Sequence, residues 1–487
     1  MPNYRHFPWH VLWLASFLAA LSARAAVDDE LLAGPAYAKF RLTLSSGWRE
    51  EAAGPFFYDQ DASGQTQWAL PPFFCRTLTP EVDWSEWDFL YPAMNYRRFG
   101  TEYRLQVGQV LSFSGGQTPE ENMVRHTTLF PFYFHQSSTE SNHNYTALFP
   151  LFGHLENRMF RNDIKFVMFP LYSETRKKDV VTDNYFYPVF DRRRGNGLTG
   201  WEVWPLAGME SKTTTFRTNS MGETETIGGY DKFFALWPFY FKNHADVGTT
   251  NPASSLTMVP FYSRTRSPSR DETSYGFPFG FNALHDREKN YVEHDFLWPL
   301  FVWAHGSKTV TRYFPFYSRA RHNGLESDFY GFLLYKFNRL QAPPVDRRRS
   351  RVMYFLYNDT VERNTESHDF KRNVDFWPFY CYRRDLEGNR RSQFLAILEP
   401  LFPNNRTIGR EYSQLWSLWR AERNPHTGAS SQSLLWNLYR HESVGQSKKT
   451  SLLFGLFKYQ STPDGGRWRV GSLNLGGKPA RTSAAKS

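Results

Sequence analysis

Residues 127–136 read TTLFPFYFHQ, an aromatic–proline–aromatic core with polar neighbours, and how this stretch is read decides the fold. Close relatives recur along the chain: TALFPLFGHL at 146–155, FVMFPLYSET at 166–175, FFALWPFYFK at 233–242, DFLWPLFVWA at 295–304, TRYFPFYSRA at 311–320 and DFWPFYCYRR at 375–384. The proline falls at 72, 92, 131, 150, 170, 188, 205, 238, 260, 278, 299, 315, 378 and 400. Degenerate copies place Leu333, Phe355, Ser417, Asn437 or Gly455 in that slot. From 131 to 455 there are 17 slots, so 324 residues over 16 intervals give a period of about 20. A fixed period of this length marks a repeat architecture in which neighbouring copies cover one another.

The cores lack a 3.6-residue apolar period and are rich in Phe, Tyr, Trp, Val and Thr, so they read as extended chain. Clusters such as STESNHN, RDLEGN and TPDGG between them read as turns. The expectation is all-β: a repeat-built antiparallel sheet of about 20 strands of about 10 residues. Alternation then puts Ala235, Trp237, Phe239 and Phe241 on one apolar face, and Ala147, Phe149, Leu151 and Gly153 on another. Residues 26–120 are less regular. GPFFYDQDASGQTQWALPPFFCR (54–76) suggests a hairpin turning at 61–64, and EYRLQVGQVLSFSGG (102–116) reads as one strand. The division expected is 1–25 signal peptide, 26–120 irregular strands of the same sheet, 121–475 repeat region and 476–487 disordered tail.

Proline inside a strand is a conflict, because it has no N–H for the ladder. Fourteen at one slot make it a rule of the fold: a bulge, a strand start, or a solenoid corner. A longer repeat bears on this. WPFY, VPFYSRTR and YGFPFGFN at 237, 259 and 275 return as WPLF, FPFYSRAR and YGFLLYKF at 298, 314 and 330. Three units are duplicated together. With one strand per unit, an odd duplication reverses every copied strand; with a whole hairpin per unit it does not.

Aromatic residues make up 18% of the chain, which argues against disorder, and the net charge is +10, spread over short runs such as RKK (176–178) and DRRRS (346–350). The first 25 residues, with Arg5, an 11-residue apolar run and Ala23-Arg24-Ala25, read as an export signal. Later segments hold no run long enough for a membrane helix. The two cysteines, Cys75 and Cys381, make no framework and no metal or redox pair.

No catalytic set stands out. His294-Asp295 and His368-Asp369 each open a unit and suggest a turn or cap; His135, His154 and His305 follow their cores without an H-x-x-x-H pattern, so neither a metal nor a cofactor is expected. No phosphate-binding glycine loop is present, and the rings sit in apolar cores rather than on a nucleic-acid stacking surface. The residues assigned to lipid-facing or core packing are Trp237, Phe239, Phe241, Phe149, Leu151 and Trp298. Arg264, Arg266, Arg319, Arg321, Arg383 and Arg384, placed just after their cores, are candidates for anionic headgroups, through bidentate bonds to phosphate.

These features imply an envelope protein without catalysis. The first expectation is a closed outer-membrane β-barrel in a Gram-negative-type bacterium, in contact with lipid or lipopolysaccharide, with a structural or passive-permeation role. The other is an exported, periplasmic or surface β-repeat (solenoid or stacked hairpins) that binds or scaffolds anionic envelope polymers. A secreted hydrolase is disfavoured.

Overall fold

The computed structural model describes residues 36–117, 122–140, 143–218, 224–403, 405–463, 465–470 and 473–475. The expected signal peptide (1–25) and tail (476–487) lie outside the described residues. The described residues form two compact units, one from those up to 100 together with those from 369 onward, and the other from those between 101 and 368. The described residues form 45 strands, and the ladders between them are antiparallel. All-β and antiparallel hold. The strand number and length do not: most strands are about six residues long, twice as many and shorter than expected.

The reason lies in TTLFPFYFHQ. Its extended parts are Met123–Leu129 and Tyr133–Ser138, and the segment between them is a turn. Leu129 pairs with Tyr133, and the Phe132 N–H donates to the Leu129 carbonyl at 2.7 Å. The Phe130–Pro131 bond is cis with proline at the third turn position, a type VI turn. Thirteen of the fourteen slot prolines follow a cis bond; Pro400 is the exception and joins no hairpin. Each repeat of about 20 residues is therefore a whole hairpin, two strands and two turns. This removes the conflict raised by the three-unit duplication, since three hairpins leave every strand direction unchanged.

Two loop lengths occur. Leu129 and Tyr133 enclose three residues, whereas Val167 and Tyr172 enclose four, with Met168 at φ 45° opening the longer turn. Leu90, Phe186, Leu236 and Leu297 take the same left-handed place before their prolines. At three of the slots that lack proline, consecutive left-handed residues close the hairpin: Met353-Tyr354, Trp436-Asn437 and Leu453-Phe454.

Neighbouring turns are bonded to each other. The N–H before a proline donates to the carbonyl of the previous slot proline in Phe169 to Pro150 at 2.7 Å, Tyr187 to Pro170 at 2.8 Å and Trp237 to Pro205 at 2.7 Å. Phe332 and Ala396, in turns where no proline follows them, donate likewise to Pro315 and Pro378. Elsewhere the next residue's carbonyl accepts, as Phe132 does from Phe149 at 2.7 Å and Phe239 from Val259 at 2.8 Å. The ladder asks proline only for its carbonyl, so the missing N–H leaves no gap.

Two sequence readings change here. The hairpin expected at 61–64 is present, as Phe57–Ala62 and Gln65–Leu70 with Ser63 and Gly64 left-handed between them. The single strand expected over 102–116 is two, Glu102–Val107 and Leu111–Gln117.

Within each unit this meander puts the proline-slot turns on one edge and the intervening turns, mostly polar but with Met159-Phe160 among them, on the other. The inward face just below the aromatic turns is largely polar. Cross-strand pairs there include Asp88–Asn95, Asn184–Asp191 and Asp375–Cys381, all buried. Apolar packing inside is local, as in Phe134, Tyr145, Ala147, Leu155 and Phe166. Outward rings stack edge-on across strands: Phe57, Trp68, Phe74, Trp87 and Tyr96 follow one another with centroids 5.3–6.2 Å apart.

Candidate functional site

The repeat is interrupted by an extra strand pair, Thr215–Thr218 with Thr224–Ile227, and by helix at PNNRTIGREYSQLWSLW (403–419). Asn405 caps a short helix, α1 (Arg406–Glu411), its side-chain oxygen accepting from the N–H groups of Thr407 at 3.0 Å and Ile408 at 3.3 Å. A single turn, α2 (Ser413–Trp416), follows. The insertion packs on the inward face of the first unit. Arg410 bonds Glu86 and donates to Thr77 Oγ1 at 2.7 Å, with Asp88 at 3.9 Å. Tyr58 donates to the Arg410 carbonyl at 3.1 Å, Tyr412 donates to the Tyr91 carbonyl at 2.6 Å, and Gln414 accepts from Arg49. Arg49 lies 4.0 Å from the Tyr58 ring centre and pairs with Glu51 at 2.6 Å; Glu51 accepts from Asn437 at 2.8 Å.

The charges here are unbalanced. Burial raises Glu86, but Arg410 and Arg97 more than offset it and hold its carboxyl below the usual range. Burial, then Glu86, pushes Asp88 up to about 6. Glu411, with no exposed surface, is pushed up to about 8 by burial and then by Asp88. A cleft of about 900 Å3 opens beside them, with Trp84, Glu86, Tyr91, Arg97, Arg406 and Arg410 on its walls. The cleft offers polar, cationic contacts to a solute. The buried carboxyls stand behind Arg410, which ties them into the packing of α1.

The aromatic residues assigned from sequence divide. Phe149 is half-buried against Phe166 and Phe169, at centroid distances of 5.8 and 5.3 Å. Phe241 is half-buried opposite Phe234 at 6.4 Å. Trp237, Phe239, Leu151 and Trp298 are exposed, on or beside the turns. The face assigned to Ala235, Trp237, Phe239 and Phe241 is not continuous, because residues 236–239 form a turn and strand alternation stops there.

The six arginines also divide. Arg321 is bound through both Nη atoms by Asp328, at 2.5 and 2.8 Å, and Arg383 meets Asp375 at 2.6 Å, so their forks are engaged within the fold. Arg384 lies over the Phe370 ring at 3.7 Å. Arg266 and Arg319 are exposed, each 3.9 Å from an aspartate, and Arg264 is half-buried.

Cys75 and Cys381 are both free and buried. His294 and Asp295 lie within the strand Tyr291–Phe296, not in a turn, and Asp295 accepts from Asn282 at 3.1 Å.

Sequence reasoning missed two features. Arg410 and Glu86 are 324 positions apart, with no local pattern to link them. His154, Glu156 and Asp163 converge on one point, the only such His/carboxylate group among the described residues. Its signal, H-x-E two residues before a tight hairpin, was legible but is not a helical metal motif.

No family model matches the sequence, and no curated protein matches it either. Among the described residues no helix is long and apolar enough to cross a membrane, which leaves strand-based membrane contact open.

Proposed function

We propose that the protein is a non-catalytic envelope component that lies on a membrane, with the aromatic turn edge of its hairpins seated in one lipid leaflet. One observation carries this reading: the molecule is greasy outside and polar inside along the turn edge. Phe316 is 77% exposed, Phe261 75% and Phe186 63%, with Phe130, Phe132 and Phe239 beside them in kind, while Asp88, Asp191 and Asp375 are buried. Soluble monomers rarely expose contiguous apolar surface on this scale.

Depth favours a single leaflet. Outward charges return at Lys165, Arg192 and Arg319, four or five residues from Pro170, Pro188 and Pro315. At about 3.4 Å per residue the apolar band is at most about 17 Å deep, close to the roughly 15 Å of one hydrocarbon leaflet. A membrane-spanning barrel needs an apolar band of about 25 Å. The cations then sit at headgroup level, and the basic polar edge faces water or anionic polymer. Export through the segment 1–25 and residence at the outer membrane of a Gram-negative-type bacterium complete the proposal.

Flotation with anionic phospholipid vesicles tests it. The protein is expected to float, and Phe261→Ser with Phe316→Ser to weaken binding by roughly tenfold or more per ring, from about 1.5–3 kcal/mol for each buried aromatic. Absence of flotation overturns membrane seating. Heat-modifiable gel migration together with solute release from the vesicles replaces it with the closed barrel.

A further inference from the structure

In the second unit the strand Phe152–Arg158 turns through Met159-Phe160, both left-handed, into Arg161–Val167. His154 and Glu156 are two apart on the first strand, so both side chains leave the same face. Asp163 on the second strand is the direct cross-strand partner of Glu156, which places it on that face too. Leu155, between His154 and Glu156, points the other way into the apolar cluster and fixes the strand's orientation.

One donor atom from each of the three residues lies within 4.8 Å of the others. His154 Nε2 bonds Asp163 Oδ1 and stands 4.0 Å from Glu156 Oε1. His143 brings a second imidazole, its Nδ1 3.1 Å from the other Glu156 oxygen. Two cations face the cluster in register: Lys165 opposite His154, drawn aside to 3.6 Å from Glu174, and Arg176 opposite Asp163 on the next strand, whose side chain is exposed to solvent. His154, Asp163 and Glu156 are 34%, 28% and 17% exposed in their side chains, leaving an open approach.

From this arrangement we infer that His154, Glu156 and Asp163 form a binding site for a first-row divalent transition ion, with Zn2+ the best fit and His143 within reach as a fourth ligand. One or two imidazoles with two carboxylates are the N/O donor set that zinc accepts in tetrahedral geometry. Magnesium and calcium prefer oxygen donors alone. Tetrahedral zinc donors stand roughly 3.4 Å apart; the 4.0 Å from His154 to Glu156, and up to 4.8 Å across the group, closes by side-chain rotation with the backbone held by the hairpin register. The inference does not depend on membrane seating.

The test uses the full chain stripped with chelator and titrated with Zn2+ alone. One equivalent is expected to bind in the micromolar range or tighter, with Mg2+ not competing. His154→Ala and Asp163→Asn are each expected to weaken binding by at least about tenfold, the loss seen even for groups that only support a metal ligand, while His305→Ala leaves it unchanged. Bound Zn2+ should also shield His154 from diethylpyrocarbonate in the unsubstituted chain, a readout independent of whether the variants fold. Absence of Zn2+ binding, undiminished binding in folded Asp163→Asn, or unshielded His154 under saturating Zn2+ each overturns the site and leaves a hydrogen-bonded His154–Asp163 pair.

Discussion

The two units share one hairpin and fill it differently. In the first, α1 and α2 cover the inward face, and Arg410 joins Glu86, Thr77 and the neighbourhood of Asp88 across 324 positions of sequence. In the second, the described residues form no α-helix, and the inward polar groups are answered strand to strand, as Asn282 answers Asp295 at 3.1 Å or Asn184 answers Ser173 at 3.2 Å. The lesson is that the aromatic–proline hairpin is a frame indifferent to its filling. Lateral bonds between strands and turns hold it in both units. Among the described residues, charge pairing across hundreds of positions, such as Arg410 with Glu86, is an addition to the first unit.

Removing Arg410 should break that contrast most sharply. Arg410→Ala leaves Glu86 and Asp88 buried with most of their countercharge gone, at a cost of about 3–5 kcal/mol. Hydrogen exchange should rise in Gln65–Leu70, Phe74–Thr79 and Trp84–Phe89, with Tyr317–His322 of the second unit unchanged. Uniform loosening of both units would show that the frame depends on the insertion after all.

Acidity offers a second lever on the first unit. Its Glu411, pushed up to about 8, stays protonated in the fold while the unfolded chain ionises near 4.3. Between those values the unfolded state is the one that has lost the proton, so the stability of the first unit should fall as pH rises from about 5 to 8. Glu411→Gln should flatten that slope in a denaturant series across pH. An unchanged slope would assign it elsewhere.

A smaller effect is expected in the second unit. Asp328→Ala frees Arg321, whose side chain is already 34% exposed and can reach water, so the cost should be about 1–2 kcal/mol. A loss as large as that for Arg410→Ala would erase the difference between the units. The smallest effect concerns the thiols. Burial pushes Cys75 and Cys381 up to about 11, so neither should react with a disulfide reagent in the folded protein at neutral pH, and both should on unfolding.

Much of the architecture was legible in the sequence. The period, the all-β class and the hairpin at Ser63-Gly64 follow from spacing and turn residues. The place of the proline did not. Phe, Tyr and Trp around Pro131 are strand formers, and the same residues occupy the type VI turn that the chain makes there. Burial was legible only in part, because alternation was carried through Trp237 and Phe239, where the chain is bending. At the candidate sites, Arg321 and Arg383 were found as basic residues after a core, but their carboxylate partners come from the facing strands, Asp328 and Asp375. Charge counts alone do not show which arginines are already engaged.

The bond from one turn's carbonyl to the next turn has a consequence for how such a chain changes length. Hairpin after hairpin presents to its successor a turn carbonyl, the proline's own at Pro150 and Pro170 or that of the following residue at Phe132, Phe239 and Leu300. A copied block can therefore be spliced between two existing hairpins and meet a ready-made seam on both sides. The 55-residue echo of VPFYSRTR in FPFYSRAR is the trace of such a splice, and the width of the sheet becomes a quantity that duplication can tune in whole-hairpin steps.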